Sequence, residues 1–235
     1  MNLEQLEKKI SYVFKNKALA HQALVHKSYM KEKPRNTEIS DHNERLEFLG
    51  DAVLELVSTE FLYSNFDDNE GILTAVRSSL VNANNLSQVG ARIYLPENIY
   101  LSRGERGDEG KAKDMIVADA VEALIGAMYL DGGYNAAKQF ILNYIMSDAQ
   151  SIFDTQSFKD PKTKLQELLQ EKYKITPIYE IVETFGKDHE KEFLVAVFKE
   201  ETKLAEGKGA SKQKAETEAA KLALDVLTNK NNTNL

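Results

Sequence analysis

The chain contains no cysteine and no apolar run long enough to cross a membrane. Without cysteine, disulfides, thiolate zinc sites and thiol catalysis are all excluded. The first residues, MNLEQLEKKISYVF, also lack an apolar run of signal-peptide length. These absences predict a soluble, cytoplasmic protein with no membrane partner.

The chain has no excess of positive charge. Its net charge is −7, from 30 basic and 37 acidic residues, which argues weakly against nucleic-acid binding. Whole-chain charge is a poor guide, however, because acids can cluster at one site while lysines cluster elsewhere. A hydrophobic content of 42% is ordinary for a globular protein, and 235 residues are enough for two domains.

Helical patterns follow one another through the first part of the chain. The predicted helices cover residues 3–12, 17–29, about 43–65, a long segment after Gly71 with a short helix following it, 115–130 and 136–147. Polar loops are predicted over 31–41 and 102–113. We therefore expect an all-α domain over residues 1–147.

The second part of the chain has a different pattern. Residues 148–160 are polar and predict a linker. Beyond them lie an amphipathic helix, three short alternating runs and a final helix, over residues 162–173, 178–184, 192–199, 202–206 and 211–227. This order predicts a small α+β domain of α-β-β-β-α type over 161–229, followed by a disordered tail over 230–235.

The stretch NERLEFLGD, residues 43–51, is the most informative in the chain. On a helix its three carboxylates, Glu44, Glu47 and Asp51, fall within about 60° of one another. The opposite side carries a predicted core stripe, formed by Leu46, Leu49, Val53, Leu56 and Val57. Taken alone, the acids are equally well explained as a solvated surface.

A second acid pair lies in MIVADAVEALIGAMYL, where Asp119 and Glu122 are the charged residues of an otherwise apolar helix. Such a helix is normally buried, and buried carboxylates need a partner. A hydrogen-bonded pair or a bridge to Arg45 would satisfy them. Alternatively, the two acid groups face each other and bind a hard cation, for which oxygen ligands suit Mg²⁺, with Mn²⁺ as a substitute. Phosphodiester hydrolysis is the natural chemistry of such a site.

NERLEFLGD followed by ADAVEALIGAMYLD resembles bacterial ribonuclease III. HQALVHKSY before this signature and the α-β-β-β-α module after it are similar to that family in order and spacing. The resemblance implies an all-α, homodimeric endonuclease domain joined to a double-stranded-RNA-binding domain. It also implies Mg²⁺-dependent cutting of duplex RNA to 5′ phosphates, 3′ hydroxyls and short 3′ overhangs.

The resemblance also implies roles for individual acids. By this resemblance, the metal ligands are expected to be Glu47, Asp51, Asp119 and Glu122, with Asp51 and Glu122 central to catalysis. Glu44 is a supporting acid, and so is Glu70, although an acid at a helix start would also be placed there by the helix dipole.

Phe48 points to the acid side of its helix, and the resemblance implies that it contacts a partner subunit. Asn43 either caps the signature helix or orients Glu47. The histidines His21, His26 and His42 are expected to have packing or surface roles.

In the second domain, Lys212 and Lys214 occupy the first turn of a helix that Ser211 can cap. The helix dipole disfavours lysine there, whereas a bound phosphate favours it. A solvated charge run is the alternative, and Gln213 stands where the family usually has another basic residue. The resemblance further implies RNA contacts by Thr163, Gln166, Glu167, Gln170 and His189. The spacing of the first four alone would fit a merely polar outer face equally well.

Two other functions are compatible with parts of the pattern. One is a catalytically silent protein that binds double-stranded RNA and whose acids only support the fold. The other is a metal-dependent phosphohydrolase of small nucleotides, which would have no need of the second domain.

Overall fold

The computed structural model describes residues 3–34, 39–107, 110–186 and 191–229. The chain forms two compact units, residues 1–158 and 159–235. The first is helical and the second contains a three-stranded sheet with a helix on either side of it in sequence, so the predicted fold class is confirmed. Within the described ranges, no helix is both long and apolar enough to span a membrane.

Helices make up the first unit. The α-helices are α1 (Leu3–Ile10), α2 (Lys17–Ala23), α3 (Glu44–Asn65), α4 (Glu70–Val81), α5 (Ala83–Arg92), α6 (Lys111–Tyr144) and α7 (Ala149–Thr155). Short 3₁₀ helices cover Lys27–Lys31, Pro96–Asn98, Glu105–Gly107 and Met146–Asp148. Their apolar faces share one core, in which α6 is the most deeply buried element.

Helices α3 and α6 cross with their backbones in unusually close contact. A Cβ atom on Gly50 would lie 1.8 Å from the carbonyl oxygen of Glu122, and one on Gly126 would lie 2.2 Å from that of Leu46. Neither position can therefore accept a side chain unless the helices separate. Because Glu47 lies one turn before Gly50, this crossing determines which residues of α6 it faces.

The predicted helix over 17–29 is wrong beyond Ala23. Leu24 ends α2, the chain is extended at His26, and a 3₁₀ helix begins at Lys27, because the backbone of residues 24–26 bonds to distant segments. The amide of Asn43 donates to the carbonyl of Val25 at 2.8 Å, and the amide of Tyr100 donates to the carbonyl of Leu24 at 2.8 Å. The strip of residues 24–26 thus joins the start of α3 to the segment around Tyr100.

The long helix α6 begins at Lys111, inside the segment predicted as a loop. Its predicted interruption is confirmed, because Gly133 has φ +75° and divides the helix into two parts. The left-handed conformation is one that glycine adopts without strain. The first part carries Asp119 and Glu122, both partly buried, to the crossing with α3.

The stretch predicted as a polar linker contains helix α7. Ala149 is buried, and Ile152 and Phe153 pack against the first unit's core. The ring of Phe153 stacks on that of Phe66 with centroids 3.8 Å apart. The chain therefore stays packed on the helical unit as far as residue 158.

The second unit has helix α8 (Pro161–Tyr173), strands β1 (Ile178–Phe185), β2 (Glu192–Lys199) and β3 (Thr202–Gly209), and helix α9 (Lys212–Asn229). The strands form an antiparallel sheet in the order β1-β2-β3. Both helices pack on it through a small core formed by Leu165, Leu169, Val197, Ala219, Ala220 and Ala223.

Candidate active site and RNA-binding face

Carboxylates from α3 and α6 meet where the two helices cross. Glu47, Asp119 and Glu122 each place an oxygen atom within 4.8 Å of the others, and all three side chains are partly buried. Among the described residues, the ion pairs include neither of the α6 acids nor Arg45, so a bridge to Arg45 does not neutralise them. As predicted, an acid of α3 and both acids of α6 lie close together in the structure.

The site holds these acids at an electrostatic cost. Burial raises the pKa of Glu122 to about 8, and the negative charges of Asp51, Asp119 and Glu47 add to this shift. Burial also raises the pKa of Glu47 and of Asp119. A group of acids that repel one another in a partly buried site is stabilised by a cation, and an all-oxygen donor set fits a hard divalent ion.

The other predicted acids lie at different distances from this group. Asp51 is exposed and outside the set of mutually close oxygens, yet its charge acts on both Glu122 and Glu47. Glu44 is at the rim, where its carboxylate pairs with Lys27. Glu70 begins α4 and accepts a hydrogen bond from Thr74 Oγ1 at 3.3 Å. It lines a separate cavity of about 670 Å³ with Tyr63 and Arg77.

One member of the predicted core stripe of α3 is exposed. Leu56 has 59% of its surface accessible, whereas Leu46, Val53 and Val57 are buried as expected. Phe48 is 82% exposed, as its position on the acid side of the helix predicts. Asn43 precedes α3 without capping it through its side chain.

The predicted RNA-binding residues that the structure describes in the second unit are exposed. Thr163, Gln166, Glu167 and Gln170 lie on the face of α8 opposite the buried Leu165 and Leu169. Glu167 also pairs with Lys159 at 2.6 Å.

Lys212 and Lys214 are exposed in the first turn of α9. The hydroxyl of Ser211 accepts a hydrogen bond from the amide of Lys214 at 3.2 Å, as the predicted cap requires. His189 lies outside the described residues.

Sequence reasoning missed Lys27, whose ammonium nitrogen is 3.0 Å from Glu44 Oε1. Lys27 opens a 3₁₀ helix that follows the strip of residues 24–26. The sequence shows a lysine next to His26 but gives no sign that the strip meets the start of α3. Only the fold brings this cation to the acids.

The raised pKa of Glu122 makes the stability of the metal-free protein depend on pH. The folded state retains a proton that the unfolded chain releases near pH 4.5, so the contribution of Glu122 to the unfolding free energy falls as pH rises from about 4.5 to about 8. We expect a loss of about 1 to 3 kcal/mol over this range, after allowing for the solvent that reaches the side chain. This loss of unfolding free energy is measured by thermal unfolding in EDTA at a series of pH values, for wild type and Glu122→Gln. An identical pH dependence of stability in the two proteins would contradict the raised pKa of Glu122.

Comparison with protein families identifies both units. Residues 16–149 match the family model described as ribonuclease-III-like. Residues 161–227 match the model described as the double-stranded RNA binding motif. Together with the acid group, these matches define the class of protein: an endoribonuclease that carries a double-stranded-RNA-binding domain.

Individual relatives are similar in sequence to this chain over almost its full length. Ribonuclease 3 of Sulfurovum sp. strain NBC37-1 is 44% identical over 225 residues, which are 95% of this chain and 97% of that protein. Ribonuclease 3 of Bdellovibrio bacteriovorus is also 44% identical over 225 residues, covering 95% of each. A solved nuclease domain of ribonuclease III from Campylobacter jejuni is 42% identical with a TM-score of 0.55, and covers 61% of this chain and 96% of that one. The chain belongs to the ribonuclease III family.

Proposed function

We propose that this endoribonuclease hydrolyses double-stranded RNA with the help of Mg²⁺. The products would have 5′ phosphates, 3′ hydroxyls and short 3′ overhangs, and the substrates would include ribosomal and other RNA precursors in the cytoplasm. The observation that carries the proposal is the convergence of Glu47, Asp119 and Glu122, with oxygen atoms within 4.8 Å of one another beside Asp51.

Glu47, Asp51, Asp119 and Glu122 would hold the ion, and Mn²⁺ would serve as a substitute because it accepts the same ligands. Bound Mg²⁺ supplies an activated water and charge stabilisation for phosphodiester hydrolysis. The protein's own part is to hold the carboxylates in place before the substrate arrives. The close contact of α3 with α6 at Gly50 and Gly126 does this, because it leaves the two helices little freedom to separate.

The second unit would bind the duplex. Thr163, Gln166, Glu167 and Gln170 would face the minor groove of A-form RNA, where 2′-hydroxyls are accessible. Lys212 and Lys214 would bind phosphates at the start of α9, with His189 in a further contact. The ion pair of Lys162 with Glu216 at 2.5 Å supports this arrangement, because it ties the start of α8 to the first turns of α9.

The active protein would be a homodimer formed through α3. Phe48, Leu56 and Tyr63 are all exposed, at 82%, 59% and 81%, and they share one side of this helix with Ala52. A cavity of about 650 Å³ beside Phe48 is lined in part by Leu19, Leu46, Leu49 and Leu130. A solved Campylobacter jejuni nuclease domain is described as flexible in a region involved in dimer formation. Two sites related by a two-fold axis would each cut one strand and leave a staggered break.

Removing the metal tests the central claim. We expect the wild-type protein to cut a long, perfectly paired RNA in Mg²⁺ and to stop cutting in EDTA. After the strands are separated, the product ends are identified by whether a 5′-phosphate-dependent exonuclease degrades them, and the overhang by the offset between the cleavage positions on the two end-labelled strands. Binding without cutting in Mg²⁺ would instead establish the silent RNA-binding protein. Cutting in EDTA would contradict the metal site.

A further inference from the structure

Hydrogen bonds made by the two residues before Lys27 and by Ser28 after it hold the backbone of Lys27 beside the start of α3. The amide of Asn43 donates to the carbonyl of Val25, and the amide of His26 donates to the carbonyl of Tyr100 at 3.1 Å. The imidazole Nδ1 of His26 then accepts from the amide of Ser28 at 3.4 Å and caps the 3₁₀ helix that Lys27 begins. The position of Lys27 is therefore set by the fold, although its side chain is exposed.

The ammonium group of Lys27 lies within the electrostatic reach of acids on both helices. It pairs with Glu44 Oε1 at 3.0 Å. Burial raises the pKa of Glu47 and of Asp119, and the charge of Lys27 offsets part of that rise, while Glu44 and these two acids raise the pKa of Lys27. With 63% of its side chain exposed, it can also be reached from solvent.

A polyanion that approaches this site meets strong repulsion. The acids are Glu44, Glu47, Asp51, Asp119 and Glu122. In the described part of the chain, their ion pairs come from Lys27 and from His42, and both pairs are made with Glu44. Burial lowers the pKa of His26, which favours its neutral form. Among the residues that the structure describes, Lys27 is thus the lysine that forms an ion pair with this acid group.

We propose that Lys27 binds a phosphate of the RNA backbone at the acid group, and that Glu44 holds its ammonium ready for that contact. An ammonium has three donors, so it can keep Glu44 and bind a phosphate oxygen at the same time. The proposal rests on the proposed function, since it requires duplex RNA at this site. The competing account is that Lys27 only neutralises Glu44 and never touches the substrate.

Binding in Ca²⁺, which separates binding from cutting, distinguishes these accounts. Lys27→Met keeps the apolar stem and removes the charge, whereas Lys27→Arg keeps the charge. For Lys27→Met we expect duplex affinity to fall about tenfold and the slope of log affinity against log salt to become shallower by about one for each phosphate that the protein no longer binds. Lys27→Arg should keep the wild-type slope. Lys31→Met, an exposed lysine at the end of the same 3₁₀ helix, is the matched control and should bind like wild type.

The same measurement in a Glu44→Gln background completes the test. If Lys27 only neutralises Glu44, removing that acid should restore affinity to the Lys27→Met protein. We expect instead that Lys27→Met makes the salt slope shallower in both backgrounds. A wild-type slope in Lys27→Met, or full rescue by Glu44→Gln, overturns the proposal. A wild-type protein that binds but does not cut in Mg²⁺ overturns the proposed function alone, because the slope is measured without cleavage.

Discussion

Replacing Glu122 with glutamine should reduce cleavage of duplex RNA in Mg²⁺ by about 10³-fold or more, while binding in Ca²⁺ stays close to wild type. The change keeps the size of the side chain and removes one charge from the group formed with Glu47 and Asp119. Loss of charge stabilisation at a metal site is worth several kcal/mol, and each 1.36 kcal/mol corresponds to about tenfold in rate. Initial rates on a long, perfect duplex give the cleavage value, and gel mobility gives the binding value.

The metal dependence of the residual activity makes this test sharper. If Glu122 is a ligand, the Mg²⁺ concentration for half-maximal cleavage should rise in Glu122→Gln, because one of four oxygen donors has lost its charge. Glu97→Gln is the matched control: Glu97 is exposed in the 3₁₀ helix Pro96–Asn98, and the variant should cut like wild type. A Glu122→Gln enzyme with a wild-type rate and a wild-type Mg²⁺ requirement would contradict the assignment of Glu122 as a metal ligand.

Local spacing is sufficient to predict each acid group but not how closely the groups meet. Glu47 with Asp51, and Asp119 with Glu122, share helix faces that can be worked out from 3.6 residues per turn. The distance between α3 and α6 depends on the absence of a side chain at Gly50 and Gly126, each of which faces a backbone carbonyl of the other helix. From the sequence alone, a glycine inside a helix indicates only a low helix propensity at that position. Its packing partner is a long-range property of the fold.

The wrong predictions for the helical unit also arise because long-range contacts cannot be derived from local spacing. Periodicity carries the helix over 17–29 too far because it does not include the hydrogen bonds that Val25 and Leu24 make with Asn43 and Tyr100. The same hydrogen bonds bring Lys27 to the acids, so periodicity gives no sign of that residue's position either. Angular position alone places Leu56 in the core, although no part of the described chain covers it fully.

Helix α7 is not predicted, for a different reason: its helical pattern is present in the sequence but is short. Ala149, Ile152 and Phe153 recur at helical spacing within a stretch that is otherwise polar. Two turns of helix are marginal by themselves. The helix forms because Phe153 stacks on Phe66, a contact between residues far apart in sequence.

Replacing Phe48 with glutamate should convert the protein to monomers and abolish cleavage of duplex RNA. Phe48 is 82% exposed in the single chain, a large apolar area whose burial against a second copy would contribute about 1.5 to 3 kcal/mol for each subunit. By two-fold symmetry the change acts twice in one interface, and it also adds a charge that would have to be desolvated there. Light scattering after size exclusion gives the mass, and the duplex assay gives the activity.

Further results decide how the effect of Phe48→Glu is interpreted. Phe48→Glu should keep the wild-type far-ultraviolet circular dichroism, because the side chain makes little contact within its own chain. Val13→Glu, at a residue that is 70% exposed outside α3, should remain dimeric and active and so controls for adding a charge to an exposed apolar position. An inactive Phe48→Glu dimer would place Phe48 against the RNA or the acid group instead of a partner. An active monomer would show that each chain cuts alone, and the staggered break would then need two separate encounters with the duplex.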